Sequence, residues 1–203
     1  MTRHARPLLT ALALAAAGVL IGHGSWLQVK AILAQALIHH AWAAAQRDGT
    51  VRRPWPWADH WPVARLRVPA HGQDLIVLEG DRGAVLAFAP GHNPKSGLPG
   101  SGRTIVISGH RDTHFRFLAA LRPGQAIQLD GPQDSQRFRV TDKRIVDSRR
   151  QGLAIREEAA LVLVTCYPFD AIVPGGPLRY VVEAQPWPRA AEPIADTRKP
   201  TIL

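Results

Sequence analysis

Cys166 is the only cysteine in the chain, and it stands where the apolar run LVLVT (161–165) meets Tyr167–Pro168. A thiol in such a place reads in two ways. Free cysteine is among the most buried residue types, so it can be core filler. It can equally be a nucleophile that splits one acyl transfer into two easier steps, given a base beside it. The position at a strand end, where the chain turns toward Pro168, favours the second reading. His110 occupies the same kind of place: TIVIS (104–108) reads as a strand, Gly109 breaks it, and His110 opens HRDTHF. A histidine behind a glycine at a strand end is a better-placed general base than His39 or His40, which fall on a predicted helix. Asp112 reads first as the ion-pair partner of Arg111, and second as an orienter of a histidine.

Other chemistries are poorly served. One cysteine excludes an internal disulfide framework and any zinc site built on several thiolates. His110 and His114 are four apart, half of a helical zinc site, but no further ligands follow at a recognisable spacing. No metal and no cofactor is expected. The segment GLPGSGRT (97–104) imitates a phosphate loop with Arg103 in place of lysine. That loop must follow a strand and open a helix; this one follows a loop and leads into TIVIS, so it is a turn.

The elements that must position these residues are mostly strands. The chain has 203 residues, 46% hydrophobic and 20% charged, which suits one domain with a real core. Between residues 64 and 184, short apolar runs alternate with Gly/Pro-rich joints. ARLRV (64–68), DLIVL (74–78), AVLAF (84–88), TIVIS (104–108), AIQL (126–129), RFRV (137–140), RIV (144–146), LVLVT (161–165) and RYVVE (179–183) all read as strands. This pattern predicts a mostly β barrel or sandwich rather than a parallel sheet with crossover helices. Short helices are expected at Thr113–Leu121, where Phe117, Leu118 and Leu121 share a face, and at Arg156–Ala160.

The N-terminal third supplies the address. From Leu8 to Val29 the chain carries no charged Lys, Arg, Asp or Glu, a length that spans a hydrocarbon core of ~30 Å as a helix. Arg3 and Arg6 flank one side and Lys30 stands alone on the other, so the N-terminus is placed in the cytoplasm and the rest outside. An Ala41–Trp42–Ala43 cleavage pattern lies too far downstream for a signal peptide. Residues 1–30 therefore read as cytoplasmic N-terminus and anchor. Residues 31–62 read as a helical stalk, with Leu33, Leu37 and Ile38 on one side, and a Pro/Trp linker. Residues 63–185 read as the folded β domain and residues 186–203 as a disordered Pro-rich tail. The formal charge of +9 first suggests nucleic acid. The arginines are scattered among acids, and the domain lies across a membrane, so no nucleic-acid partner is expected.

Taken in order, SGHRDTHF, then some fifty-five residues, then VLVTC (162–166) and PLRYVV (177–182) resemble the sortase family. Its strand-end pattern, TLxTC, is matched at Leu163, Thr165 and Cys166; Val162 replaces the usual threonine. The GHRDTHF wording and the RPWPWADHWPVARL lead-in most resemble the Gram-negative (proteobacterial) subfamily. The resemblance implies a closed eight-stranded β-barrel on a membrane anchor in the inner membrane, facing the periplasm. It implies a cysteine transpeptidase, with Cys166 as nucleophile, His110 as acid and base, and Arg179 holding the substrate or its oxyanion. Thr165 would add a substrate contact or simply pack. The partners implied are a secreted protein with an LPXTG-like C-terminal sorting signal and an amine acceptor. Two alternatives stand beside this: another Cys–His acyl hydrolase, and a non-catalytic tethered β-domain binding an envelope partner. Papain-like proteases place cysteine before histidine, the reverse of the order here, and the S-x-G-C pattern of L,D-transpeptidases is missing.

Overall fold

The computed structural model describes residues 5–173 and 175–187. The expected cytoplasmic Arg3 and most of the Pro-rich tail lie outside them. Eight strands close a barrel: β1 (Pro62–Val68), β2 (Gln73–Glu79), β3 (Gly91–His92), β4 (Thr104–Ser108), β5 (Ala126–Asp130), β6 (Ser135–Asp147), β7 (Ala160–Cys166) and β8 (Leu178–Pro186). Around the wall they run β1-β2-β3-β4-β7-β8-β6-β5, and β5 pairs with β1 to close it. Most neighbours are antiparallel, but β2·β3 and β4·β7 are parallel.

Strand alternation sends successive side chains to opposite faces. Leu66, Val77, Ile105, Ile107, Phe138, Leu161, Leu163 and Val182 therefore fill the interior. The strands β4 and β7 are apolar on both faces, unlike most antiparallel strands. Their outward residues Val106, Val162 and Val164 join Val146 and Val181 in a second cluster, under Leu153 and Ile155 of the β6–β7 connection. That connection starts beside β8, where Ser148 N and Oγ both donate to Pro177 O. It crosses the outer face and re-enters the wall at Ala160. Continuous apolar runs such as TIVIS and LVLVT are what burial on both faces requires.

Several local readings are corrected. AVLAF (84–88) is not a strand: residues Val85–Phe88 form a short helix, α2. Val85 and Phe88 pack with Trp55 against Ile38, Trp42, Ile76, Leu78 and Ala89, a contact that rewards a helical turn. RFRV and RIV belong to one strand, β6, whose register slips between Val140 and Asp142. The helix expected at Thr113–Leu121 shrinks to a 3-10 turn, Arg116–Ala119. Phe115, Leu118 and Leu121 are nonetheless fully buried. Fully burying one such side chain stabilises by about 1.5–3 kcal/mol, so the segment is held by its apolar contacts without a regular helix. Residues Arg156–Ala160 form no helix; Ala160 already opens β7. The 97–103 segment is a turn leading into β4, as expected.

Residues Ala5–Asp48 form one continuous helix, α1. From Leu12 on it is long and apolar enough to cross a membrane, as an anchor or as a signal sequence. Leu12, Leu14, Leu20 and Ile21 are exposed, whereas the last turns bury Ala34, Ile38, Ala41, Trp42 and Ala45. Gln35 Nε2 also donates to Phe88 O at 2.7 Å. The buried stripe is alanine-rich and omits Leu33, which stays exposed. Small side chains let the helix approach β2 closely, so the stalk is docked on the barrel over these turns.

Candidate active site

The parallel pairing of β4 with β7 aligns the two chemistry-bearing strand ends. Its last paired residues are Ser108 and Val164, and Gly109 N continues the ladder to Val164 O at 3.0 Å. His110 and Cys166 each stand two positions beyond, so they emerge at the same level. On the other side of β7, Cys166 is the register partner of Arg179 on antiparallel β8. The Cβ atoms of residues so opposed lie about 4.5–5.5 Å apart. Cys166 shares its strand face with Val162 and Val164, and Arg179 shares its face with Val181. By alternation both lie on the outer face, the one whose valines pack under Leu153 and Ile155, rather than in the barrel interior. That face runs from Cys166 toward a cleft of about 290 Å³ lined by Val162, Arg156 and Glu183, among others.

Exposure follows the requirements of chemistry. His110 is exposed and Cys166 half-buried. Arg179 donates Nη1 to Gly176 O at 2.6 Å and Leu178 O at 2.9 Å, which ties its guanidinium to the end of the β7–β8 connection and to the first residue of β8. Thr165 faces the opposite way. It is buried, and its Oγ1 donates to Gly109 O at 2.8 Å. Its hydroxyl thus ties the cysteine's strand to the residue before His110. Gly109 is required by packing: a Cβ there would come within 2.7 Å of the Phe115 ring. Phe115 in turn pins the segment that follows His110, so the glycine that breaks the strand also admits the aromatic anchor.

Asp112 pairs with Arg111, through Nε to Oδ1 at 2.7 Å and Nη2 to Oδ2 at 2.9 Å. Those bonds hold the Asp112 carboxyl below its ordinary range. His114 is held below the ordinary imidazole value by burial first and by His110 second. Among the described residues no three His, Cys, Asp or Glu side chains gather into a metal-binding group. Two features of the site escaped the sequence reading. One is the covering of the outer face by Leu153 and Ile155. The other is that Arg111 reaches past Asp112 to the β7–β8 connection; its place next to His110 in the sequence was the only available signal.

A closed eight-stranded barrel with cysteine, histidine and arginine gathered at adjoining strand ends defines a class of cysteine-bearing β-barrel proteins. Comparison with known proteins makes it particular. Residues 66–187 match the model of the sortase domain, so the chain belongs to the sortase family. It is similar to Sortase D of Bacillus subtilis (strain 168), 32% identical over 119 residues. That match spans 58% of this chain and 60% of the relative's length. Among solved structures it resembles a sortase D5 transpeptidase of Clostridium perfringens, with a TM-score of 0.59 and 19% identity, over 74% of this chain and 94% of that one. It also resembles sortase A of Corynebacterium diphtheriae, with a TM-score of 0.56 and 23% identity, over 72% and 67%. These likenesses establish the barrel as the sortase fold.

Proposed function

We propose that the protein is a membrane-anchored cysteine transpeptidase that cleaves an LPXTG-like sorting signal and passes the acyl group to an amine. The observation that carries this reading is the level placement of His110 and Cys166 on parallel strands, with Arg179 directly opposite the cysteine. Cys166 Sγ, as thiolate, attacks the Thr–Gly carbonyl of the signal. Its carbon becomes tetrahedral, and the oxygen takes the negative charge. Collapse breaks the C–N bond, and His110 delivers a proton to the departing glycine amine, leaving a thioester on Sγ. An incoming amine then attacks the thioester, His110 accepts its proton, and the thiolate returns. Arg179, with Nη1 held by the Gly176 and Leu178 carbonyls, presents its remaining donors toward the developing oxyanion. Thr165 contributes its backbone at most, because its hydroxyl is bonded to Gly109.

An LPXTG-type peptide mixed with the protein should therefore acylate Cys166, and hydroxylamine should release the acyl group as a hydroxamate seen by mass spectrometry. Absence of modification by any of several signal variants would favour a tethered binding domain instead. Arg179→Lys keeps the charge but loses the planar fork. Turnover should fall by about 10²–10³, the usual loss when one oxyanion donor is removed. Activity near that of the unaltered protein would make Arg179 a barrel-surface residue.

The reading also assigns an address. The apolar helix α1 anchors the chain in the inner membrane, with its N-terminus in the cytoplasm and the barrel on the periplasmic face. The charge bias of Arg3 and Arg6 against Lys30 supports this orientation. A reporter that works only outside the cytoplasm, fused after Leu203, should be active; an inactive fusion beside an active cytoplasmic reporter would reverse the topology. Membership of the Gram-negative subfamily rests on the GHRDTHF wording and the Trp/Pro lead-in, and a source cell bounded by a single membrane would refute it.

A further inference from the structure

Arg111 follows the proposed acid and base in the chain, yet its side chain is buried rather than displayed; the residue is 7% exposed. Its guanidinium donates to the exposed Asp112 carboxylate on one edge. On the other it crosses to the β7–β8 connection, with Nη1 to Pro168 O at 2.6 Å and Nη2 to Ala171 O at 2.9 Å. Pro168 lies two residues beyond Cys166 and Ala171 five beyond. Together with Thr165 Oγ1 to Gly109 O, these bonds bracket the His110–Cys166 pair, one tie just before it and one just after. A buried cation with several fixed acceptors holds a backbone more tightly than neutral contacts do.

We propose that Arg111 is a positioning residue that fixes the β7–β8 connection behind Cys166, sets the separation of Cys166 from His110, and supplies a buried positive charge that favours the thiolate. The assignment rests on the transpeptidase reading only for its effect on turnover. The coupling is also electrostatic: the Asp112 carboxylate bonded to it first, and the neighbouring Cys166 and Asp170 after it, hold the guanidinium above its ordinary range. The titratable and charged groups at this end of the elements that meet at Cys166 are His110, Arg111, Asp112, His114 and Arg116 after β4, Tyr167 and Asp170 in the connection, Arg179 and Tyr180 on β8, and Asp147, which Arg149 engages, at the end of β6. Two of these cations bond to the connection that follows Cys166: Arg179 through Nη1 to Gly176 O at its far end, and Arg111 to Pro168 O and Ala171 O near its start. Of the two, Arg111 is the buried one.

The test compares Arg111→Gln and Arg111→Lys in the full chain in detergent. Because Cys166 is the only thiol, iodoacetamide uptake against pH reads its ionisation without any sorting peptide. Arg111→Gln should move the midpoint of that profile upward and lower peptide kcat by about 10²-fold, the scale of loss from a small misplacement of reacting groups. Arg111→Lys should restore the alkylation midpoint, because the charge returns. It should leave kcat low, because one ammonium cannot reproduce the planar four-acceptor clamp. An unchanged alkylation profile in Arg111→Gln, or kcat within twofold of the unaltered protein in both variants, overturns the assignment. If both variants fail to fold, Asp112→Asn, at a side chain exposed to solvent, loosens the same guanidinium; it should lower kcat severalfold, and no change refutes the proposal. If the unaltered protein attacks no sorting peptide, the transpeptidase reading fails while the alkylation comparison still decides Arg111.

Discussion

Cys166→Ala should abolish both the acyl-enzyme and peptide cleavage, leaving only the uncatalysed background. The reason is arithmetic as well as chemical: the chain has one cysteine, so no other thiol can take over the covalent step. The substitution removes Sγ and little else. Cys166 closes β7, is half-buried, and pairs through its backbone with Arg179, an arrangement that alanine retains. The barrel core made by Leu161 and Leu163 is untouched, so the melting temperature should stay close to that of the unaltered protein. Cys166→Ser separates nucleophilicity from shape. A serine hydroxyl fits the same space, but it ionises far less readily than a thiol and lacks the thiolate's intrinsic reactivity. It should leave binding intact while trapping the peptide uncleaved. Mass spectrometry of each variant with an LPXTG-type peptide decides the matter. Cleavage that persists without Cys166 would identify another nucleophile and refute the mechanism.

His110→Ala should be nearly as damaging, with a loss of about 10²–10⁴ in kcat, the range that a positioned acid or base contributes. His110 is exposed, and surface substitutions usually change stability by less than about 0.5 kcal/mol. Lost activity in a folded variant therefore reports on chemistry. Both half-reactions need a proton moved: the departing glycine amine must gain one and the incoming amine must lose one. Hydroxylamine is unprotonated at neutral pH, and after it adds, its weakly basic nitrogen gives up the surplus proton to water readily, so with it the deficit should fall mainly on formation of the thioester. The variant should then show slow acylation followed by normal release, resolved by single-turnover mass spectrometry. Equal rates for His110→Ala and the unaltered protein would reduce His110 to a surface residue.

How far the site was legible can be judged residue by residue. TIVIS–Gly109–His110 and LVLVT–Cys166–Tyr167–Pro168 announced two strand ends, because an apolar run stopped by glycine or proline leaves little else. AVLAF reads as a strand from the sequence because a short apolar run fits a strand or a helix equally by periodicity. Its partners Ile38 and Trp42, far back in the chain on α1, chose the helix. The two-residue β3 carries too few side chains for any pattern; pairing with Leu78 and Glu79 on one side and Ile107 and Ser108 on the other makes it a strand.

The sequence by itself determined the residue types available for chemistry, the single thiol, the apolar helix at the N-terminus, and the alternation that makes a mostly β domain. Those properties are local: side-chain type, hydrophobic period and turn chemistry are each read within a few residues. Only the tertiary structure decided that β4 lies parallel beside β7, so that His110 and Cys166 emerge level, and that β8 returns to set Arg179 opposite the cysteine. It alone turned Cys166 toward the outer face, docked α1 on β2, and carried Arg111 across to Pro168 and Ala171. Apart from the β7–β8 hairpin, these pairings join segments tens of residues apart. Alternation says only that neighbouring side chains take opposite faces; which face becomes the interior is settled when the barrel closes, by the burial of Leu161 and Leu163 on one side and of Val162 and Val164 on the other.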